Sequence, residues 1–274
     1  VDPANEGRLV HITGLATTED ILRDETFNVS STALRLRRQV EMFQWRENKS
    51  SETRKKLGGG EETVTTYSYE TAWSSKAIDS NRFKRPGGHA NPGRMPVESA
   101  DFQARDVTLG AFALSTRQVA RIDDFGAPPQ TPSVEELPQP WRTKASPIPS
   151  GYYVGRDTQR PEVGDLMITF QIVAPTTISV VAQQRGQTFA PYQTQAGGTV
   201  DLLELGQVDA ASMFTQAQKE NTILTWVLRL VGFLLLFVGL RLLFGLLSVI
   251  LDVVPLLGNI AEAGLGVVAF LLAL

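Results

Sequence analysis

Residues 223–244 read ILTWVLRLVGFLLLFVGLRLLF. At about 1.5 Å per residue this segment extends roughly 33 Å as a helix, enough to cross a hydrocarbon layer of about 30 Å. Arg229 and Arg241 interrupt it, and the charge-free run between them, Leu230–Leu240, has only eleven residues. A buried core helix is the competing reading for a run that short. Placement favours the membrane. With Leu235 at the midplane, each arginine lies about 9 Å away, within reach of an interface by snorkelling. Trp226 then falls about 13 Å out, at the depth of the interfacial aromatic belt. Trp226, Arg229, Leu235 and Arg241 are therefore the candidate membrane-anchoring residues. The arginines sit about 120° apart around the helix, so they share no face. That suits two interfacial anchors better than the lining of an ion or substrate path.

Beyond this segment, Ser248–Asn259 is almost free of polar residues and reads as a turn in or near the interface. Pro255 biases Val254 away from helix and completes the set of anchoring candidates. Asn259 with Glu262 fits a cap for a second helix, Ile260–Leu274, which at about 22 Å is too short to span. Residues 223–274 thus read as a truncated membrane helical hairpin in a chain that begins at Val1 without a methionine. On the other side, residues 209–222 read as a juxtamembrane helix capped by Asp209. No Gly or Pro separates it from the apolar segment, so one continuous helix is expected to couple the soluble part to its anchor.

The composition divides the same way. Of the 55 Asp, Glu, Lys and Arg residues in the 274-residue chain, residues 223–274 hold four. The net charge of −3 excludes the basic footprint of a general nucleic-acid binder, so no nucleic-acid partner is expected. With no cysteine there is no disulfide, thiolate metal site or thiol nucleophile. The two histidines, His11 and His89, are too few for a His-rich metal site. No cofactor is implied.

Residues 1–208 read as a β-rich soluble domain. Leu9–Gly14, Leu34–Arg46, Glu62–Ser74, Asp165–Ala174, Thr176–Gln184 and Gly198–Leu205 are enriched in β-branched and aromatic residues. Alternation puts Phe43 and Trp45 on one face of the second stretch, and Tyr67, Tyr69 and Trp73 on one face of the third. The two stretches are expected to form a hairpin with a shared aromatic face, closed by a polar loop over Glu47–Glu61 that carries Gly58-Gly59-Gly60. That face serves either as core packing or as a platform for an aromatic ligand. Ser115 opens a short helix with Val119 and Ile122 on its inner face. Residues 126–150 hold seven of the fifteen prolines and read as an inserted loop or extended connector. The fold class is α+β: a β-rich soluble domain followed by a C-terminal helical membrane region.

Catalytic motifs are absent. There is no G-x-S-x-G, P-loop, strand-linked G-x-G-x-x-G or H-E-x-x-H. The densest loop, Arg85-Pro-Gly-Gly-His-Ala-Asn-Pro-Gly-Arg94, holds Arg85, His89 and Arg94, with Arg82, Lys84 and Asp79 nearby. It is the candidate interaction loop. Its cations suit lipid phosphates, and His89 beside Asp79 is the one place where acid–base chemistry has candidates. Asn28-Val-Ser and Asn48-Lys-Ser are glycosylation triplets, a pattern that also arises by chance.

Several stretches, in order, resemble the transmembrane protein 43 (LUMA) family. They are Asn5–Ile12, Leu36–Trp45, Tyr67–Trp73, Gly88–Pro92, Pro161–Asp165, Val181–Gly186 and Pro191-Tyr192. The resemblance implies an N-terminal membrane helix before Val1, a large lumenal or extracytoplasmic domain, and several C-terminal membrane helices. It implies a self-associating scaffold in the endoplasmic reticulum and inner nuclear membrane that engages emerin and lamins. It supplies no catalytic residue. Low lysine content and the Pro-rich insert point to a bacterial member, for which the domain is periplasmic, the membrane is the inner one, and emerin or lamin partners do not apply. A membrane-anchored, homo-oligomeric scaffold organising membrane or envelope proteins is thus the leading expectation. An oligomeric pore or transport component is the first alternative, and a lipid- or envelope-acting enzyme around His89 the second.

Overall fold

The computed structural model describes residues 1–55, 61–126 and 129–251. The glycine tip at 58–60, Pro255 and the second apolar helix lie outside the described residues. The chain divides into two compact units, Val1–Val208 and Asp209–Leu274.

The first unit is built of strands β1 (Leu9–Thr18), β2 (Ile21–Asp24), β3 (Val29–Thr32), β4 (Arg35–Lys55), β5 (Glu61–Ser74), β6 (Ala100–Gln103), β7 (Val107–Leu109), β8 (Phe112–Ala113), β9 (Ala145–Ile148), β10 (Gly151–Val154), β11 (Leu166–Val173), β12 (Thr176–Arg185), β13 (Thr188–Ala190), β14 (Tyr192–Gln193), β15 (Thr199–Val200) and β16 (Leu202–Leu205). One sheet runs β5-β4-β11-β10-β9, with β6 also on β4. In the other, β12 lies between β1 and β16, and β1-β7-β8-β13-β12 pair in a ring that returns to β1. β2–β3 and β14–β15 are small hairpins.

Alternation along β4 decides what is inside. Leu36, Val40, Met42 and Gln44 are fully buried and Arg38 is nearly so. They share one face, because successive side chains of a strand point to opposite sides. Phe170 and Tyr152 from β11 and β10 meet Phe27, whose ring is also 5.0 Å from that of Trp141. Arg38 survives in this core because Asp24, wholly buried, accepts a 2.6 Å hydrogen bond from its Nη1, and the Glu98 carbonyl accepts from Nε. A buried cation stays charged only with such partners. At Gly151 β10 approaches β11 so closely that a Cβ would strike the Ile168 carbonyl, leaving room for glycine alone.

Two expectations need correction. The polar stretch Glu47–Glu61 was expected as a loop, but β4 and β5 stay paired from Met42↔Ser74 to Lys55↔Glu61. The pairing is carried by polar cross-strand contacts, among them Ser51–Thr65 and Thr53–Thr63, both at 3.1 Å. Threonine suits a strand without needing a core, so low hydrophobicity here does not mean loop. The Pro-rich segment is also not all connector. It carries short 3-10 turns at Val134–Glu136 and Trp141–Thr143, ends in β9, and buries Leu137. Helix α1 (Thr116–Ala120) starts where Ser115 allows, with a full capping box to Gln118, and it buries Val119, as Ile122 is buried just beyond it.

The described residues of the second unit form a continuous helix, α2 (Ala210–Leu251). Asp209 caps it, accepting from Ser212 N at 3.0 Å and Ser212 Oγ at 2.7 Å. Those bonds hold the Asp209 carboxyl below its usual pKa.

Candidate functional site

The candidate interaction loop lies on the aromatic face of the β4–β5 hairpin. Register places Phe43 opposite Trp73, and Glu47 opposite Tyr69. Their parity puts these side chains, with Trp45 and Tyr67, on the single face expected from alternation. Phe43 and Trp73 pack at 5.2 Å between ring centroids.

His89 is built into this face. Its ring stacks on Tyr69 at 4.0 Å and meets Trp45 edge-on at 4.7 Å. Nδ1 lies 3.0 Å from the Arg85 carbonyl. A carbonyl only accepts, so Nδ1 carries the proton. Asp79 is turned to another task, accepting from Asn81 N at 3.1 Å as the cap of the short turn Ser80–Arg82. The structure therefore shows no hydrogen bond between His89 and Asp79, and the histidine ring packs on Tyr69 and Trp45.

Tyr69 and Glu47 hold the loop's backbone. The Tyr69 hydroxyl donates to Glu47 Oε2 at 2.8 Å and accepts from Arg85 N at 2.9 Å. Lys84 N donates to the same carboxylate oxygen at 2.5 Å. Burial, then the bond to Glu47, raises the Tyr69 pKa. Nearby, Arg46 and Asn48 both donate to Glu70, which lowers its pKa.

Asn91 is the residue that sequence reasoning missed. β11 accompanies β4 only as far as Met42, and Asp165 and Gly164 then serve Phe43. The next backbone groups on that side, those of Trp45, need partners. Asn91 supplies both, with Oδ1 accepting from Trp45 N at 2.7 Å and Nδ2 donating to Trp45 O at 2.8 Å. Its Nδ2 also reaches Ile78 O at 3.2 Å. Gln44, wholly buried, clamps the loop's start in the same manner through Lys76 O and Ile78 N. The only hint in the sequence is an amide inside a Pro/Gly-rich loop.

With its inner atoms occupied, the loop turns cations outward. Arg82, Lys84, Arg85 and Arg94 are all exposed. Among the described residues, no group of three His, Cys, Asp or Glu side chains is arranged to hold a metal ion.

The anchoring candidates Trp226, Arg229, Leu235 and Arg241 lie on α2. Ala210–Leu242 is long and apolar enough to cross a membrane, and none of its most apolar window is buried. Leu235 is 70% exposed and Trp226 64%. The Arg229 guanidinium lies 5.1 Å from the Trp226 ring centroid. Arg241 is exposed on the same helix.

A family model described as Transmembrane protein 43 matches residues 42–274. The chain belongs to the transmembrane protein 43 family. It is 36% identical over 285 residues to Transmembrane protein 43 of Mus musculus and 35% identical over 286 residues to that of Homo sapiens, covering all of this chain and 69% of each relative. A Transmembrane protein 43 homolog of Drosophila melanogaster is 30% identical over 262 residues, which is 93% of this chain and 67% of the relative. No solved structure matches it. As a member of the transmembrane protein 43 family this is a membrane protein, and α2 carries the candidate span among the described residues.

Proposed function

We propose that this chain is a membrane-anchored scaffold that self-associates and organises other membrane or envelope proteins. One observation carries the reading. His89, the one acid–base candidate of the sequence that reaches this face, is spent with Glu47, Tyr69 and Asn91 on fixing a loop against a hairpin, which leaves a surface with exposed cations. That arrangement suits recognition by surface rather than turnover. The domain stands on the extracytoplasmic side: lumenal in the endoplasmic reticulum or inner nuclear membrane of a eukaryote, periplasmic at the inner membrane of a bacterium. The exposed loop cations favour anionic partners, lipid phosphates included. Emerin- or lamin-type partners belong to the eukaryotic case alone.

The placement of Arg229 over Trp226 favours an interfacial anchor over a pore lining. The decisive experiment is mass measurement of the protein purified in mild detergent, with cross-linking and identification of what co-purifies. A defined homo-oligomer is expected. A strictly monomeric, partnerless protein would overturn the scaffold reading, and loss of a chemical activity on His89→Ala in a folded protein would favour the enzyme.

A further inference from the structure

We propose that the outer edge of β5 pairs antiparallel with the same edge of a second copy of this chain, about a two-fold axis at Thr65. The inference rests on the self-association proposed above and names the surface that performs it.

β5 ends its sheet, with β4 on one side and, among the described residues, no strand on the other. No described backbone hydrogen bond leaves residues 63–68 except toward β4. The distal half of the hairpin also lacks a core. Lys49–Arg54 and Glu62–Val64 are exposed, and Val64 is 44% accessible. A two-stranded ribbon without a packed face is marginal in water, and a third strand stabilises it.

Edge strands are normally protected by Pro, Lys, a bulge or short length. The other edges in the domain follow that rule: β9 has four residues including Pro147, and β16 has four residues. Residues 63–68, Thr-Val-Thr-Thr-Tyr-Ser, carry no charge and have none of these protections, and they have strong strand propensity.

Symmetry then narrows the register, and a centre at Thr65 satisfies it. A two-fold axis normal to the sheet keeps the same face up in both copies, so opposed residues must have equal parity. Centred on Thr65, Val64 faces Thr66, Thr63 faces Tyr67 and Glu62 faces Ser68. These are favourable β-branched and aromatic pairs, with no like charges opposed. Centring one residue later opposes Glu62 to Glu70. A closed pair of edges also consumes the edge, so association stops at two sheets.

The chain has no cysteine, so a single introduced thiol reports position without background. In the full chain in detergent, Thr65→Cys is expected to form a disulfide-linked dimer under a mild added oxidant. Ile21→Cys, on the more exposed strand β2 at 68%, is expected not to. Thr65→Lys and Thr65→Glu should each weaken dimerisation about fivefold, and an equimolar mixture of the two should restore it, which also shows that both are folded. If the protein is oligomeric by mass but Thr65→Cys links no better than Ile21→Cys and the charged variants change nothing, the edge inference falls and the scaffold reading stands. If every form is monomeric, both fall.

Discussion

Replacing Asn91 with alanine removes three hydrogen bonds that tie the interaction loop to β4, those with Trp45 N, Trp45 O and Ile78 O. Each such bond contributes about 0.5–1.5 kcal/mol net, so the loop should open more easily by about 2–4 kcal/mol. At about 1.4 kcal/mol per tenfold change, amide exchange through local opening should accelerate roughly 30- to 700-fold. Hydrogen exchange read by mass spectrometry on peptides covering 76–91 measures this directly. Peptides from β12 serve as the internal standard and should not move. Asn91→Asp sharpens the test. It keeps an acceptor for Trp45 N but points a carboxylate oxygen at two carbonyls, so it should open the loop at least as much as alanine does. Unchanged exchange in Asn91→Ala, with global melting also unchanged, would refute the claim that this amide completes the edge of β4.

Asp24→Asn strands the Arg38 cation in the core and should cost about 3–5 kcal/mol of domain stability, read by chemical denaturation. Arg38→Met added to it should recover part of the loss, and a fully additive double variant would contradict the coupling. Asp20 accepts from Arg105 N and Asp106 N, and these bonds lower its pKa. Its contribution is therefore present above the unfolded value near 4 and is lost as pH falls through the lower folded value. Asp20→Asn should flatten the acid limb of the stability profile below about pH 4, and an identical limb in the variant would remove that assignment. Leu235→Arg sets a charge at the centre of the span at a cost of about 2.5–3.5 kcal/mol, so alkaline extraction should release much more of the variant from membranes. Equal retention would place the span elsewhere along α2.

The helix and the aromatic hairpin face were legible because each rests on a local period. Four charges in the last 52 residues mark the first, and equal parity of Phe43, Trp45, Tyr69 and Trp73 marks the second. The length of the hairpin was not legible, since Ser51, Thr53, Thr63 and Thr65 form strand through partners across the ribbon and not through burial. The role of Asn91 depends on Trp45, 46 positions away, and on where β11 stops, which no local pattern encodes. The place of His89 was not legible either: its residue type offers acid–base chemistry or a structural role, and only the fold brings its ring against Tyr69 and Trp45.

The arrangement around β12 has a mechanical consequence. β1 and β16 are both antiparallel to β12, so they run in the same direction, with Leu9 opposite Gln183 and Leu205 opposite Ile178. Ser179 Oγ, which accepts from Val208 N and donates to Gly206 O, fastens the strand just past the exit of β16. Tension drawn between the start of β1 and the end of β16 thus runs along the strands, across ladders whose hydrogen bonds stand perpendicular to the pull. The ladders are loaded in shear, many bonds at once, instead of unzipping singly. A domain strung this way resists stretching along the line from Leu9 to Leu205.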